Sequence, residues 1–321
     1  MTQPIRWGIL GAAKFAQQHM GRAIHAAEGA VLAGLAASSA EKAAPFQAFA
    51  PGLELYDSYD ALLDDPAIDA VYVPLPNHLH VEWTKKALLA GKHVLTEKPI
   101  ALNAEEIDEL IAARDKAGLL AAEAYMIVHH PQWQRARELY REGAIGKLIH
   151  VDGAFSYFNA DASNIRNRPE TGGGGIRDIG VYPYGATRFV TGEEPERILC
   201  ANIRWENEVD VYAQVIAQFP SFTLSAMTSM RLHLRQEMVF HGENGILRLT
   251  APFNAGSYGE ARLELVGEGQ RATVERFTEA QQYVRQVEAF GRSIRDGAPY
   301  PWTLEDARGT QRMIDMVFAA A

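Results

Sequence analysis

The chain has 321 residues, of which 47% are hydrophobic and 22% charged, and this length and composition are typical of a globular protein with two domains. Its net charge of −9 at pH 7 argues against a general affinity for nucleic acid or for anionic membranes. Cys200 is the only cysteine, which excludes an intramolecular disulfide and a cysteine-rich metal site. The first residues show no charged and apolar leader, and no apolar run reaches transmembrane length, so we expect a cytoplasmic protein.

The first strand signal, Ile5–Leu10, leads directly into Gly11–Ala16, a G-x-A-x-x-A variant of the dinucleotide-binding fingerprint. In this interpretation Gly11 makes the tight turn, Ala13 faces a pyrophosphate and Ala16 allows close helix–strand packing. The backbone N–H groups that open the following helix, which we expect to run to about residue 27, would hold the pyrophosphate. The predicted cofactor contacts in this turn are Gly11, Ala12, Ala13, Lys14 and Phe15.

The second strand signal, Val31–Ala37, ends in two serines followed by a lysine. An enzyme that uses NAD usually places an acidic residue here, which binds the ribose 2′-hydroxyl. Ser38, Ser39 and Lys42 instead offer small hydroxyls and a cation, which suit a 2′-phosphate better and predict NADP. In the alternative interpretation Lys42 is only a solvated helix residue.

Strands and helices then alternate at short intervals, which predicts a doubly wound parallel sheet. The segments concerned are Glu54–Tyr56, Tyr59–Leu63 and Ala70–Val73. Pro74, Asn77 and His80 follow the last of these strands, where we expect them to line the cofactor cleft. Alternatively, Asn77 is a helix cap and His80 an ordinary first-turn residue.

The apolar run His93–Thr96 predicts a buried parallel strand, and it delivers Glu97 and Lys98 before Pro99 stops it. An acid and an ammonium therefore stand at the carboxyl end of a central strand, which is where ligands bind in open α/β sheets. We predict that Lys98 contacts cofactor and substrate and that Glu97 supports the cofactor site. The alternative is an ordinary surface ion pair.

From about residue 126 the pattern changes to long strands separated by short turns, which predicts a largely antiparallel sheet with helices on one face. The predicted strands are Leu148–Phe158, Ile198–Trp205, Val211–Phe219, Thr223–Met230, Glu237–His241, Gly245–Thr250, Arg262–Val266 and Ala272–Arg276. We therefore expect a nucleotide-binding Rossmann domain over residues 1–125 and a substrate and oligomerisation domain over residues 126–321. An uncovered sheet face needs a partner, so we expect a homodimer or homotetramer that forms through this sheet.

Four consecutive glycines, Gly172–Gly175, interrupt the strand series. Such a run is costly to order and indicates close backbone approach to a ligand, although a plain flexible loop is the alternative. Asp178 and Tyr182 follow at a spacing of four, which would place them on one face of the helix that starts here. Pro183 indicates that its first turn is irregular.

These pieces together resemble the glucose–fructose oxidoreductase / inositol dehydrogenase / rhizopine-catabolism family over nearly the whole chain. The motifs that carry the resemblance are Gly11–Ala16, Glu97–Pro99 and the glycine run that leads into Asp178 and Tyr182. Many members have histidine where this chain has Tyr182. Tyrosine is similar to the branch that contains glucose–fructose oxidoreductase, dimeric dihydrodiol dehydrogenase and NADP-dependent xylose dehydrogenases.

The resemblance implies a catalytic group of Lys98, Asp178 and Tyr182. Oxidation of an alcohol with NADP needs a base for the hydroxyl proton, and a phenol serves if its pKa is pulled down from about 10. A nearby ammonium such as that of Lys98 would do this and would also stabilise the developing alkoxide. Asp178 would accept a substrate hydroxyl or hold Lys98 in place.

The expected activity is NADP-dependent oxidation of an aldose such as xylose or glucose at C1, or the reverse reduction. The alternatives are a trans-dihydrodiol dehydrogenase and a non-catalytic sensor that binds NADP. Tyr157 and Arg166 are expected among the substrate contacts. No metal is expected, because the adjacent His129 and His130 point apart and chelate poorly.

Overall fold

The computed structural model describes residues 3–321, except for the side chain of Gln270. Its α-helices are α1 (Gly21–Ala26), α2 (Ala40–Gln47), α3 (Tyr59–Asp64), α4 (His80–Leu89), α5 (Ala104–Ala117), α6 (Pro131–Arg141), α7 (Val181–Thr191), α8 (Gln282–Asp296) and α9 (Leu304–Ala319). Its strands up to residue 158 are β1 (Ile5–Leu10), β2 (Ala30–Ala36), β3 (Glu54–Tyr56), β4 (Ala70–Val73), β5 (His93–Thr96), β6 (Ala121–Glu123) and β7 (Leu148–Phe158). The later strands are β8 (Arg197–Glu206), β9 (Val209–Gln218), β10 (Thr223–Ser229), β11 (Arg231–Gly242), β12 (Ile246–Thr250), β13 (Ala261–Val266) and β14 (Ala272–Phe277).

The described residues form two compact units, and each unit is assembled from separate stretches of the sequence. The first contains the residues up to Ala101 together with Glu105–His129 and Gln281–Ala307. The second contains Leu102–Ala104, His130–Ala280 and Arg308–Ala321. A domain boundary between residues 125 and 126 stays a prediction.

The first unit contains a six-stranded parallel sheet in the order β3-β2-β1-β4-β5-β6. This is the strand order of a Rossmann fold, and it confirms the predicted doubly wound sheet. The order reverses between β1 and β4, and Ile9 lies beside Tyr72 across that pair. Because all strands run in parallel, the residues that follow β1, β4 and β5 emerge at the same edge of the sheet.

The second unit contains an eight-stranded sheet in the order β14-β13-β12-β11-β7-β10-β9-β8. The pair β7–β10 is parallel and the other neighbours are antiparallel, which confirms the mostly antiparallel sheet. The tight turn from β8 to β9 places Asn207 at φ 49° and Glu208 at φ 62°, the left-handed geometry of a two-residue hairpin. The predicted bounds of β7 agree with the structure. Strand β11 begins at Arg231 rather than Glu237, because its pairing with β7 shifts register between Arg231 and Arg235 and its first half therefore lacks a regular alternation of apolar residues.

Helix α7 covers one face of this sheet. Phe155 of β7 contacts the ring of Tyr182, and a Cβ added to Gly153 would lie 2.8 Å from Pro183 Cβ. Side chains alternate along a strand, so Asp152 and Ala154 lie on the opposite face. That arrangement agrees with the expected sheet covered by helices on one side.

The two predicted closing helices are confirmed as α8 and α9. In the first unit, Phe290 of α8 packs on the buried Trp7 of β1 at a ring distance of 5.0 Å. Among the described residues, no helix has both the length and the apolar character needed to cross a membrane.

Candidate active site

The fingerprint turn has the geometry that its sequence predicts. Gly11 has φ +105°, a conformation that favours glycine, and its N–H donates to Ala36 O at 3.0 Å. A Cβ at this position would lie 3.2 Å from the Tyr59 hydroxyl and 3.3 Å from Leu75. Ala16 is wholly buried, as close helix–strand packing requires. Backbone conformation and these two neighbours therefore both favour glycine at this turn, and the approach of a pyrophosphate to it stays a prediction.

The helix after the fingerprint differs from the prediction of one continuous helix. Ala16–Met20 form a π-helical turn, and α1 follows it. In the middle of this stretch a Cβ on Gly21 would lie 2.8 Å from Ala16 O. Widened turns of this kind occur often at functional sites.

At the end of β2 the two serines have different roles. Ser39 caps α2, since its hydroxyl accepts from Lys42 N at 3.3 Å. The Lys42 ammonium donates to Ser38 Oγ at 3.0 Å, and both side chains are exposed. A hydroxyl and an ammonium therefore stand together at the position where the 2′ substituent of a nucleotide binds.

The loop after β4 corrects two expectations. Asn77 opens a 3₁₀ turn and does not cap it, because Pro76 is at the cap position and no side-chain hydrogen bond caps the turn. His80 is wholly buried, and its ring nitrogens lie 2.7 Å from Leu75 O and 2.7 Å from Pro99 O. Burial lowers the pKa of His80 to about 4, although the contacts with Pro99 O and Leu75 O oppose the shift. The ring cannot line a cofactor cleft, because it is engaged by the backbone on both sides. Pro74 directly follows β4 at the edge of the sheet where ligands bind.

Glu97 anchors the end of β5. Its carboxylate accepts from the Tyr72 hydroxyl at 2.6 Å and from Lys98 N at 3.2 Å. Burial raises the pKa of Glu97, against the hydrogen bond from Tyr72. Glu97 is therefore tied to the ends of two neighbouring strands, and its part in a cofactor site stays a prediction.

In the second unit Asp178 is the centre of a polar cluster. Its Oδ2 accepts from the Tyr157 hydroxyl at 2.7 Å and lies 2.9 Å from Arg166 Nε. Burial and the Asp178 charge raise the pKa of Tyr157 well above its usual value, so this phenol stays protonated. The Asp178 charge also raises the pKa of Arg166. Two residues predicted as substrate contacts therefore hold Asp178 in one orientation.

The glycine run is packed rather than loose, which contradicts a plain flexible loop. A Cβ on Gly173 would lie 2.6 Å from Arg166 O, and one on Gly174 would lie 2.1 Å from Asp210 Oδ1. Gly174 also has φ +123°. Only residues without a Cβ allow these approaches, so the run brings the backbone close to protein groups.

Asp210 supports the start of the helix that carries Asp178 and Tyr182. It is 2% exposed, and its Oδ2 accepts from Ile176 N at 2.6 Å. Ile176–Gly180 form a π-helical turn ahead of α7. Pro183 has no N–H to donate, which explains an irregular start of the helix.

Tyr182 lies in the first turn of α7, and Asp178 lies in the preceding π-helical turn. The Tyr182 ring contacts Phe155 at 5.5 Å and Phe253 at 5.3 Å. The residue is 5% exposed, so its phenol is held by aromatic packing.

Sequence reasoning missed two residues that shape these sites. Tyr59 places its hydroxyl beside Gly11, and only the position of Tyr59 after the Ser58 cap of α3 hinted at its location. Asp210 lies just before the predicted start of its strand, where an acid between two buried valines was the only signal.

A metal centre has no support in the part of the chain that the structure describes, since no group of three possible ligands lies together there. His130 caps α6 by accepting from Gln132 N at 3.1 Å, and the His129 ring packs on Tyr300 at 5.3 Å.

Two stretches of the chain, one in each half, match known protein families. Residues 5–125 match the GFO_IDH_MocA oxidoreductase family with an NAD-binding Rossmann fold, and residues 133–248 match the GFO/IDH/MocA C-terminal domain. The chain belongs to this family. The resemblance stated from the motifs is thereby confirmed.

Several relatives within the Gfo/Idh/MocA family match along almost the whole chain. A dTDP-3,4-didehydro-2,6-dideoxy-alpha-D-glucose 3-reductase from Saccharopolyspora spinosa is 35% identical over 92% of this chain and 90% of its own length. A D-xylose 1-dehydrogenase (NADP(+)) from Haloferax volcanii is 32% identical over 98% of this chain and 97% of its own. The crystal structure of a 3-ketoreductase from Actinomadura kijaniata with NADP and TDP-benzene has a TM-score of 0.92 and 29% identity, over 99% of this chain and 98% of that one.

Proposed function

We propose that this protein is an NADP-dependent oxidoreductase that transfers a hydride between the nicotinamide and a carbon of a sugar-type substrate. The observation that carries the proposal is Lys98 at the carboxyl end of a central Rossmann strand, in a chain whose second unit holds an oriented Asp178 and a buried Tyr182. The family relationship supports hydride chemistry, and relatives with NADP in their names or structures support the cofactor.

The residues of the first unit fit NADP. Gly11 has the positive φ of a tight fingerprint turn, and Ser38 with Lys42 offers a hydroxyl donor and a cation for a 2′-phosphate. Ala12 and Ala13 lead from that turn to the helix, and Lys14 and Phe15 open it. The bound nicotinamide supplies the hydride acceptor or donor.

Each protein residue has a distinct role in this proposal. The Tyr182 phenol takes the proton of the substrate hydroxyl during oxidation and returns it during reduction. The Lys98 ammonium stabilises negative charge on the reacting oxygen. Asp178 accepts a hydrogen bond from a further substrate hydroxyl, and Tyr157 with Arg166 holds it in place.

Two substrate classes follow from the relatives. Similarity to the xylose dehydrogenase supports oxidation of a free aldose at C1, with NADP⁺ as the oxidant. Similarity to the two ketoreductases supports reduction of a keto group on a nucleotide-linked sugar, with NADPH as the reductant. The role given to Asp178 favours the aldose class, because a free aldose presents several hydroxyl groups, whereas the sugar named for the reductase is deoxy at C2 and C6 and oxidised at C3 and C4.

Nicotinamide absorbance of the purified protein tests the proposal in both directions. The oxidation panel contains aldoses, polyols and a trans-dihydrodiol with NADP⁺ or NAD⁺, and the reduction panel contains free and nucleotide-linked keto sugars with NADPH. With the substrate that turns over, we expect Tyr182→Phe and Lys98→Met each to lose about a hundredfold or more in kcat/KM.

Matched controls separate chemistry from packing. Tyr184 lies two residues further along α7, is wholly buried, and its hydroxyl has no hydrogen-bond partner in the described structure. Tyr184→Phe should therefore leave kcat/KM nearly unchanged, as should Lys116→Met at an exposed position of α5. Binding of NADP(H) without turnover in either panel would refute the enzymatic proposal and favour a sensor.

A further inference from the structure

The backbone that follows β5 is held by the half-buried side chain of Glu97 and by the buried side chains of His80 and Glu123. Lys98 N donates to Glu97 Oε2 at 3.2 Å, His80 Nδ1 lies 2.7 Å from Pro99 O, and Ile100 N donates to Glu123 Oε1 at 3.0 Å. Proline has no N–H, so Lys98 and Ile100 supply the only amide donors of this three-residue stretch. Carboxylates accept from both of them, that of Glu97 from Lys98 N and that of Glu123 from Ile100 N.

Glu123 lies at the end of β6, where it is 3% exposed and pairs in register with Thr96 of β5. Its second oxygen, Oε2, accepts from the indole Nε1 of Trp302 at 3.0 Å. The carboxylate therefore bridges the backbone of Ile100 and a side chain that lies far along the sequence. Charge-assisted bonds of this kind are among the stronger hydrogen bonds in proteins.

Trp302 is itself fixed by packing. It is 2% exposed, and its ring stacks on Tyr125 with centroids 4.5 Å apart and planes inclined by 29°. Tyr125 follows Glu123 by two residues. The chain at the end of β6 therefore contacts the indole twice, at its ring face through Tyr125 and at its N–H through Glu123. The bridge is a rigid one, and all of its members belong to the first unit.

We propose that Glu123 and Trp302 are positioning residues that set the location of the Lys98 ammonium by fixing the backbone two residues after it. This inference rests on the catalytic role proposed for Lys98. Loss of the bond from Ile100 N frees that amide directly, and loss of the bond from Trp302 lets the Glu123 carboxylate move together with it. Glu97 and His80 still hold Lys98 N and Pro99 O in both cases.

The test measures Lys98 directly, without a substrate. Purified protein is acetylated with acetic anhydride at a fixed pH, and mass spectrometry gives the labelling rate of Lys98 relative to exposed Lys116. The variants are Trp302→Phe, which keeps an aromatic ring on Tyr125 but has no N–H, and Glu123→Gln, which replaces one acceptor oxygen by an amide. We expect the ratio to change by about twofold or more in both variants.

Trp7→Phe is the matched control. Trp7 is also a wholly buried tryptophan of the first unit, but its Nε1 makes no hydrogen bond in the described structure. Thermal unfolding reports the packing loss in all variants, and the Trp7 change should lower stability without altering the labelling ratio. An unchanged ratio in folded Trp302→Phe and Glu123→Gln, or an equal change in Trp7→Phe, would overturn the inference.

Kinetics with a substrate from the absorbance panels provide the second readout. We expect kcat to fall about tenfold or more in Trp302→Phe and Glu123→Gln, with the KM for NADP unchanged, because misplacement of a catalytic group costs rate rather than cofactor binding. A changed labelling ratio in a protein that turns over nothing would keep the positioning inference and refute the enzymatic proposal instead.

Discussion

Gly174 shows how strongly one residue can depend on the absence of a side chain. Its φ of +123° is strained for any other residue, and a Cβ would lie 2.1 Å from the buried Asp210 carboxylate. We therefore expect Gly174→Ala to lower the free energy of unfolding by about 2 kcal/mol or more. Denaturant unfolding measures this loss.

The comparison for Gly174→Ala is Gly267→Ala in the same unit. Gly267 has φ −118°, and a Cβ there would meet nothing within 4 Å. The free energy of unfolding of Gly267→Ala should stay close to that of the wild type. Equal stabilities of the two variants would show that the glycine run tolerates side chains.

Asp210 gives the molecule a pH-dependent stability. Burial raises the pKa of Asp210 to about 7, although the Ile176 N–H and the Arg177 charge oppose the shift. In the unfolded chain the carboxyl titrates near 3.8, so between these values the folded state keeps a proton that the unfolded state releases. This group therefore makes the free energy of unfolding fall as pH rises from about 4 to about 7.

Asp210→Asn removes that titration. We expect its thermal midpoint to fall less than that of the wild type between about pH 5 and about pH 8. Asp296→Asn, at an exposed acid at the end of α8, should instead follow the wild-type profile. Parallel curves for wild type and Asp210→Asn would mean that Asp210 is not the group responsible.

At the scale of an element, we propose that the turn from β2 into α2 sets the choice between NADP and NAD. Ser38 and Lys42 are joined by a 3.0 Å hydrogen bond, and both are exposed. Replacing Ser38 by aspartate introduces the acid that binds a 2′-hydroxyl, and replacing Lys42 by alanine removes the cation. We expect Ser38→Asp/Lys42→Ala to weaken NADP⁺ binding by about tenfold or more while NAD⁺ binding improves.

Fluorescence titration with both nucleotides measures this change. Lys116→Ala removes a cation from an exposed position of α5 and should leave both affinities as they are. An equal loss of both nucleotides in the double variant would indicate a general disturbance of the turn rather than a contact with the 2′-phosphate.

Periodicity and turn residues predicted most of the elements, because these signals are local. The alternation in β7 and the apolar run of β5 gave strand positions that agree with the structure. The π-helical turns at Ala16–Met20 and Ile176–Gly180 were not predicted, since they depend on packing around them. The first half of β11 was missed for a similar reason.

Some residues of the candidate site could likewise be recognised from local sequence, and others could not. Lys98 and Gly11 were recognisable because each follows a strand in a motif of fixed spacing. Asp210 and Tyr59 were not, because each acts on a segment that is distant in the sequence. The assignment of His80 to a cofactor cleft failed because spacing gives the position of a side chain and not its burial.

For the whole molecule, the uncovered face of the second sheet predicts self-association. Ile216 and Met227 lie on that face, in register with Ser225 and Ala154 respectively, and both are half-buried. We propose that two or four copies pair through this face. Ile216→Arg should lower the molar mass measured by light scattering towards that of one chain, since an unpaired charge cannot be buried there.

Leu89→Arg provides the control for that substitution. Leu89 is 82% exposed on α4 of the first unit, so a charge there should not change the molar mass. A wild-type mass equal to that of a single chain would refute association through this face.

The bond from Trp302 to Glu123 also has a consequence for how the protein is made. Synthesis proceeds from the amino terminus, so all strands of the Rossmann sheet leave the ribosome long before Gln281–Ala307 is translated. Until then Trp7 lacks Phe290 and Glu123 lacks its indole partner. Surfaces of the sheet that are buried in the finished protein stay exposed until then, and a chain that stalls before residue 302 would leave Glu123 without its indole donor.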